Sequence, residues 1–326
     1  MRKSCYAPET VDKMDNALTI ERLSKQFGKT LALDQVTFAV PQGAIFALVG
    51  ANGAGKTTLI RILMNIARPT EGRALVLGRN SEELTGKGFQ EIGYVSENQD
   101  LPDWMTVEAM LDYMRPFYPR WDRALEQQLV RQFDLPLKRK LKNLSRGMKM
   151  KAVFASSLAY RPSLIILDEP FSGLDPLVRD ELIEGLLDRA PETTIFLSSH
   201  DLAEIESFAS HVGYLQDGRM LFSEEMSVLS DRFRDITVTL PTPSPLPPNF
   251  PPTWLIAETV DHVIRFVHSD YNDYATASEL ATIFPAARDI AIDPMPLRSI
   301  FLAIAKSARV HARSNQSQTS GRRSEA

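Results

Sequence analysis

The sequence predicts an α/β fold in which a parallel sheet is covered by helices on both faces, giving three layers. Three short apolar runs carry this prediction, at residues 44–49, 164–167 and 194–197, and each is followed by a glycine or polar residue. Uninterrupted apolar runs of this length are typical of strands buried on both faces. Helical spacing of apolar residues lies between such runs, as from Val178 to Leu186. Alternation of buried strands and amphipathic helices is the pattern of a three-layer α/β domain.

Length and composition place the chain among ordinary globular proteins. Its 326 residues amount to about two domains, and 44% hydrophobic with 24% charged residues excludes a largely disordered or fibrous chain. No run of about 18 apolar residues occurs, which argues against a membrane-embedded chain. The net charge of −4 is atypical of a dedicated nucleic-acid-binding protein. The single cysteine, Cys5, cannot form an internal disulfide, which favours a reducing compartment.

A proline-rich segment marks the clearest boundary along the chain. Seven of the twelve residues from 241 to 252 are proline, and proline donates no backbone hydrogen bond to a sheet or helix. The segment is interpreted as an extended spacer between domains, with one long surface loop inside a domain as the alternative. The predicted organisation is a first domain at 16–235 with a helical insertion at about 101–160, a linker at 236–252, an α+β domain at 253–310 and a disordered tail at 311–326.

A glycine-rich loop follows the first buried strand and opens a helix. Residues 50–57 read Gly-Ala-Asn-Gly-Ala-Gly-Lys-Thr, the spacing of a phosphate-binding loop. Glycines let backbone N–H groups wrap an oxyanion, and the following helix directs its positive end at the same anion. Lys56 is suited to neutralise the β- and γ-phosphates and Thr57 to ligate Mg²⁺. A glycine-rich turn with a chance Lys-Thr is the alternative, which the flanking strand and helix disfavour.

Acidic and imidazole side chains end the other two buried strands. Asp168 and Glu169 close one strand, and His200 follows another. Asp168 is placed to hold Mg²⁺ and Glu169 to orient or deprotonate a water molecule. His200 is predicted to contact the γ-phosphate or that water. The alternatives are a turn capped by the two acids and a purely structural histidine.

Taken together, the motifs resemble a known family. Their order is the phosphate loop, Leu144-Ser145-Arg146-Gly147-Met148, the strand ending in Asp168-Glu169, Ser172-Gly173-Leu174-Asp175 and His200. This resembles the ATP-binding-cassette (ABC) ATPases, specifically the ATP-binding subunit of a transporter of the bacterial exporter-type branch, over residues 18–226. The resemblance implies a three-layer P-loop NTPase domain with an antiparallel β subdomain and a helical insertion. The remaining chain is predicted to form a small C-terminal α+β accessory domain.

The resemblance also implies a set of site residues, with ATP and Mg²⁺ as the bound groups. ATP would be bound by Phe27, Gly50, Ala51, Asn52, Gly53, Ala54, Gly55, Lys56, Thr57 and Thr58, and Mg²⁺ by Thr57, Asp168 and Glu97. The catalytic residues would be Glu169, His200 and Lys56. Ser145 and Gly147 would contact the γ-phosphate of ATP held by a second subunit, identical or different. Asp175 would belong to the loop that couples the two nucleotide sites across the dimer. Phe27 would stack on adenine, with an ordinary strand aromatic as the alternative.

The sequence departs from the family pattern at three places. Arg146 stands where the signature loop usually has a further glycine before Gly147, Met148 replaces a glutamine, and Ser96-Glu97 replaces Pro-Gln after Tyr-Val. These departures leave ATP binding secure. Their effect on the hydrolysis rate and on coupling to a partner stays open at the level of sequence.

A separate integral membrane permease is the implied partner. The expected docking region is residues 106–118, and the chain would be cytoplasmic and peripheral on the inner face of the membrane. No nucleic-acid partner is expected. The alternatives are a soluble ABC-type ATPase acting on nucleic acid or ribosomes, and a cassette that binds ATP without catalytic use.

Two further sequence features stay outside this assignment. The basic stretch from Lys138 to Lys151 is either a solvated face or attracted to the partner's ATP or to anionic headgroups. His262 and His268 are not predicted to bind metal, because no acidic neighbours converge on them in the sequence.

Overall fold

The computed structural model describes residues 16–97, 99–190, 192–247 and 250–307. The chain divides into two compact units between Ser223 and Glu224. Cys5 and the predicted tail at 311–326 lie outside the described residues. None of the helices within these residues has the length and apolar character needed to cross a membrane.

Strands and helices alternate through most of the chain. The strands are β1 (Asn16–Phe27), β2 (Thr30–Pro41), β3 (Ile45–Val49), β4 (Glu71–Val76), β5 (Arg79–Asn80), β6 (Ile92–Ser96), β7 (Leu164–Asp168), β8 (Thr194–Ser199), β9 (His211–Gln216), β10 (Arg219–Glu225), β11 (Arg234–Thr239), β12 (Trp254–Val260), β13 (Val263–His268) and β14 (Asp289–Pro294). The helices are α1 (Lys56–Leu63), α2 (Gly86–Phe89), α3 (Val107–Met114), α4 (Arg123–Gln132), α5 (Arg146–Leu158), α6 (Pro176–Leu187), α7 (Leu202–Ile205), α8 (Met226–Arg232), α9 (Asp273–Ile283) and a further helix at 297–307.

A largely parallel sheet forms the centre of the first unit. Within the described residues its strand order is β10-β9-β3-β8-β7-β6. The parallel register pairs Val49 with Ser199, and Asp168 with both Ser198 and Ser96. The carboxyl ends of β3, β6, β7 and β8 therefore meet at one edge, where ligands bind in sheets of this kind. This confirms the α/β class and the three predicted buried strands.

The first unit also contains a second, antiparallel sheet, which packs against the central sheet. Its strand order is β2-β1-β4-β5. Phe38 of β2 stacks on Phe46 of β3 with ring centroids 5.4 Å apart, and Phe46 stacks on Phe196 of β8 at 5.7 Å. α1 adds fully buried residues, among them Leu59 and Ile60, to the same apolar core. This sheet is the antiparallel β subdomain that the family resemblance implies.

Helices α3, α4 and α5 lie in the segment where the sequence predicts a helical insertion. The apolar side chains of two of these helices are buried. They are Val107, Met110 and Leu111 on α3, and Leu125 and Leu129 on α4. The segment before α5 is tied back to the start of α3, because the Leu141 N–H donates to the Met105 carbonyl at 2.9 Å.

The second unit has its own sheet and core. The strand order is β12-β13-β11-β14, and β11 pairs with β13 and β14, and β12 with β13, in antiparallel register. Ile236 and Val238 of β11 pack with Phe266 and Leu280, and Trp254 stacks on Phe266 at 3.9 Å. The second unit thus combines an antiparallel sheet with α9 and the helix at 297–307, which agrees with the expected α+β character.

The proline-rich segment is not the linker between domains that the sequence predicts at 236–252. β11 lies in the interior of the second sheet, where Val238 pairs with both Ile264 and Ile290. Residues 241–252 therefore connect two strands of the same sheet, and the boundary falls near 223 rather than 235. Proline is compatible with such a connection because it needs no ladder hydrogen bonds, and Leu246 and Phe250 anchor it against the core. The alternative of one long loop inside a domain is the correct one.

Candidate nucleotide site

The phosphate loop joins β3 to α1 at the ligand edge of the parallel sheet. Gly53 and Gly55 adopt φ values of +83° and +109°, which side chains other than hydrogen rarely permit. A Cβ on Gly55 would lie 2.6 Å from the Ala32 carbonyl oxygen. The glycines are thus required by backbone conformation and by the close approach of β2.

The first turn of α1 is open to an anion. Its N-cap is Gly55, which provides no side-chain hydrogen bond, and the turn contains no acidic residue. Helices α2 and α8 also lack a capping side chain, whereas five longer helices have one, at Thr106, Asp122, Ser145, Asp175 and Asn272. Because the first N–H groups of a helix have no intrahelical partner, those of α1 are donors for a phosphate.

Lys56 brings a buried cation to the centre of the loop. Its Nζ donates to the Gly50 carbonyl at 2.6 Å and to the Ala51 carbonyl at 3.2 Å. The same Nζ lies 3.0 Å from Glu169 Oε1, an ion pair whose angles are outside those of a hydrogen bond. The side chain is only 5% exposed, so its charge acts at short range on the loop and on Glu169.

Thr57 and Asp168 meet beside the loop. Thr57 Oγ1 donates to Asp168 Oδ1 at 3.1 Å, and Ser198 Oγ donates to the same oxygen at 2.8 Å. Burial raises the pKa of Asp168, while hydrogen bonds from Ser198 and Thr57 oppose that rise. A buried carboxylate with adjacent hydroxyl oxygen is the hard-oxygen donor set that Mg²⁺ takes. Among the described residues there is no cluster of three or more His, Cys, Asp or Glu suited to a metal.

Glu169 connects the lysine to the histidine. Its Oε2 lies 2.7 Å from His200 Nδ1, and its N–H donates to Ser198 Oγ at 3.0 Å. The residue has a φ of +50°, a strained conformation of the kind found at functional sites. The hydrogen bond to Glu169 is the main cause that raises the pKa of His200. The carboxylate is therefore held at the strand edge in a position to accept a proton or orient water.

Two helix starts lie in the motifs assigned to a partner-held nucleotide. Ser145 Oγ accepts the Met148 N–H at 3.2 Å and caps α5. Asp175 Oδ1 accepts the Val178 N–H at 3.1 Å and caps α6. A Cβ on Gly147 would lie 3.1 Å from Val178 Cγ1, so Gly147 lets the two helix starts pack closely.

The two remaining predicted site residues are Phe27, at the end of β1, and Glu97, which follows β6. Phe27 is 51% exposed at the end of β1, with Lys25 Nζ 4.8 Å from its ring centroid. Glu97 Oε1 forms a 2.7 Å hydrogen-bonded ion pair with Arg146 Nη2. The structure thus gives the Glu97 carboxylate a cationic side-chain partner, which its prediction as a Mg²⁺ ligand did not include.

Sequence reasoning missed residues that support the site. Ser198 bonds both Asp168 and the Glu169 backbone, and Ser199 Oγ donates to Glu204 Oε2 at 2.9 Å. The available signal was a pair of serines closing an otherwise apolar strand. Polar residues there are buried, and buried hydroxyls require partners.

The phosphate loop, the buried Asp168 and the Glu169–His200 pair on a parallel sheet define a P-loop ATPase domain. A family profile described as "ABC transporter" matches residues 33–172. The ABC transporter ATP-binding protein YtrB of Bacillus subtilis (strain 168) is 30% identical over 227 residues, which cover 69% of this chain and 77% of that protein.

Another relative and a solved structure agree with this match. The bacitracin transport ATP-binding protein BcrA of Enterococcus faecalis is 32% identical over 228 residues, covering 69% of this chain and 74% of that protein. A solved structure described as an ATP binding subunit of an ABC transporter superposes with a TM-score of 0.61 at 29% identity, over 66% of this chain and 92% of that one.

This chain belongs to the family of ABC transporter ATP-binding proteins. It is an ATP-binding and ATP-hydrolysing subunit of an ABC transporter, and its relatives support the exporter-type branch. They also favour this function over a soluble ATPase that acts on nucleic acid or ribosomes.

Proposed function

We propose that Lys56, Thr57, Asp168, Glu169 and His200 form one half of a site for MgATP, completed by Ser145 and Asp175 of a second ATP-binding subunit. The observation that carries this proposal is the convergence of Lys56 and His200 on Glu169 at 3.0 and 2.7 Å, beside the uncapped start of α1. The second subunit is identical to this chain or a related one.

The loop residues from Gly50 to Thr58 bind the triphosphate through backbone N–H groups and the Lys56 ammonium. Thr57 and Asp168 hold Mg²⁺, which when bound neutralises charge on the β- and γ-phosphate oxygens. Phe27 offers an exposed ring on which adenine can stack. Supporting this, the charge of Lys56 is buried within the loop rather than directed to solvent.

Glu169 acts on the attacking water in the proposed reaction. The water oxygen bonds to the γ-phosphorus, its proton passes to the Glu169 carboxylate, and the bond to ADP breaks. When the nucleotide binds, Lys56 gives up its ion pair with Glu169 and neutralises the phosphates instead. The Glu169 carboxylate is then free to accept a proton. His200 keeps Glu169 oriented through the hydrogen bond from the imidazole.

A separate membrane permease is the proposed partner, docked on the segment around α3. Tyr113 and Phe117 are more than half exposed there, with ring centroids 5.4 Å apart, and Trp104 is 70% exposed. Exposed aromatic groups of this kind are enriched where proteins bind one another. The chain would then lie at the cytoplasmic face of the membrane, peripheral to it. The name of the relative BcrA, a bacitracin transport ATP-binding protein, supports a role in transport.

Replacing Glu169 with glutamine tests this proposal. With its permease present, E169Q is expected to hydrolyse ATP about 100-fold or more slowly than the wild type, because the amide cannot accept the proton. E192Q serves as the matched control, since Glu192 is an exposed carboxylate that pairs with Arg161. A wild-type chain that hydrolyses ATP no faster than E169Q would contradict the proposal.

A further inference from the structure

Two of the departures from the family pattern contact each other. Arg146, which stands where the signature loop has glycine, places Nη2 2.7 Å from Oε1 of Glu97, which stands where the family has glutamine. The two residues are 49 positions apart in the chain. Their pairing joins the loop after β6 to the first residue of α5.

The charges of the two residues offset each other. A cation at the start of a helix is disfavoured by the helix dipole, and Arg146 is the first residue of α5. Glu97 supplies the opposite charge. The Glu97 N–H in turn donates to the Asp168 carbonyl at 3.0 Å, so the pair is anchored at the strand edge that carries the proposed Mg²⁺ site.

Arg146 also packs against a third motif. A Cβ added to Gly173 would lie 3.0 Å from Arg146 Nη1 and 3.3 Å from Cζ. Gly173 has a φ of +64° and precedes Asp175 by two residues. The guanidinium therefore lies on the turn that leads into α6, in space that a larger residue would fill.

Two neighbouring ion pairs join the same three segments, namely α5, the loop after β6 and α6. Lys149, one helical turn after Arg146, lies 3.6 Å from Asp103. Lys151 forms an ion pair with Glu181 on α6. Cations of the basic stretch thus connect the start of α5 to the loop after β6 and to α6.

We propose that Arg146 is a positioning residue of the nucleotide site. By bridging Glu97 and the turn at Gly173, it holds the Ser145–Gly147 loop at a set distance from Asp168 and in register with Asp175. The proposal rests on the proposed function, in which Ser145 and Asp175 act together on a partner-held triphosphate. It assigns Glu97 a role through Arg146 rather than as a metal ligand.

A double-mutant cycle on the full-length chain with its permease tests this role. R146Q and E97Q are each expected to lower kcat about two- to fivefold, the effect an exposed ion pair supports. The double variant should lose no more than either single variant, because both remove the same contact. The KM for MgATP should stay within about twofold, since the phosphate loop is untouched.

Two further variants sharpen the test. The exchanged pair, E97R with R146E, should recover most of the lost kcat, which a general loss of packing would not allow. K142Q is the matched control, because Lys142 is an exposed cation of the same basic stretch and should leave kcat unchanged.

Each remaining outcome overturns the positioning role. Independent, multiplying effects of R146Q and E97Q would show that the two residues are not coupled. A raised Mg²⁺ requirement in E97Q alone would make Glu97 a metal ligand, and a loss of kcat in R146Q alone would make Arg146 a direct phosphate contact. A wild type without ATPase activity would instead contradict the proposed function itself.

Discussion

Glu169 shares its carboxylate between two basic groups. Lys56 Nζ lies 3.0 Å from one oxygen and His200 Nδ1 lies 2.7 Å from the other. The hydrogen bond to Glu169 raises the pKa of His200 above its ordinary value near 6.5. Because the pKa is higher in the folded chain, protonated His200 contributes to stability below about pH 6.5, and this contribution is lost as pH rises through the folded pKa.

The pKa of His200 is expected to fall in E169Q. The amide carries no charge and cannot stabilise the imidazolium as the carboxylate does. An NMR titration of the five histidines, with H200Q to assign the signal, measures this shift. E192Q is the control and should leave the His200 pKa unchanged. An unaltered His200 pKa in E169Q would mean that the Glu169 contact does not form in solution.

At the scale of helices and strands, prediction succeeded where the signal was local. The buried runs at 44–49, 164–167 and 194–197 correspond to β3, β7 and β8, because strands covered on both faces leave an uninterrupted apolar pattern. The same locality explains why the sequence predicts Lys56, Asp168 and Glu169 at one edge. Asp168 ends a buried strand and Glu169 follows it, and Lys56 closes the glycine-rich loop after another.

Prediction failed where the partner lies far along the chain. β11 pairs with strands beginning at Val263 and Asp289, and nothing within Arg234–Thr239 identifies them. The sequence therefore predicts a linker where the fold has a connection within one sheet. The Glu97–Arg146 contact spans 49 residues. Sequence showed two separate departures from a pattern, and only the fold shows that they form one ion pair.

The start of α5 combines a structural and a functional role in Ser145. S145A is expected to lose about 1 kcal/mol of stability with its capping bond, and to lower kcat at least about tenfold if the hydroxyl also contacts a phosphate. Urea unfolding and ATPase assays measure the two effects.

N272A provides the matched control for this prediction. Asn272 caps α9 in the second unit by accepting the Tyr274 and Ala275 N–H groups. Its loss should lower stability similarly and leave kcat unchanged. Equal losses of kcat in both variants would show that Ser145 acts only as a cap.

For the molecule as a whole, the two units have separate cores and sheets. All the proposed nucleotide residues belong to the first unit, before Ser223. The second unit contains the β12-β13-β11-β14 sheet and the stacked rings of Trp254 and Phe266. Because a ligand stabilises the folded state it binds, ATP is expected to stabilise the chain through the first unit.

The proposed function requires that a triphosphate bind at Lys56 with Asp168 beside its metal. Calorimetric unfolding with and without MgATP tests it most directly. At ATP concentrations about 100 times the Kd, Tm is expected to rise by about 5–10 °C, and this rise should be absent in K56A and weakened in D168N. A wild-type Tm that MgATP leaves unchanged, or a K56A variant that shifts as far as the wild type, would contradict the account.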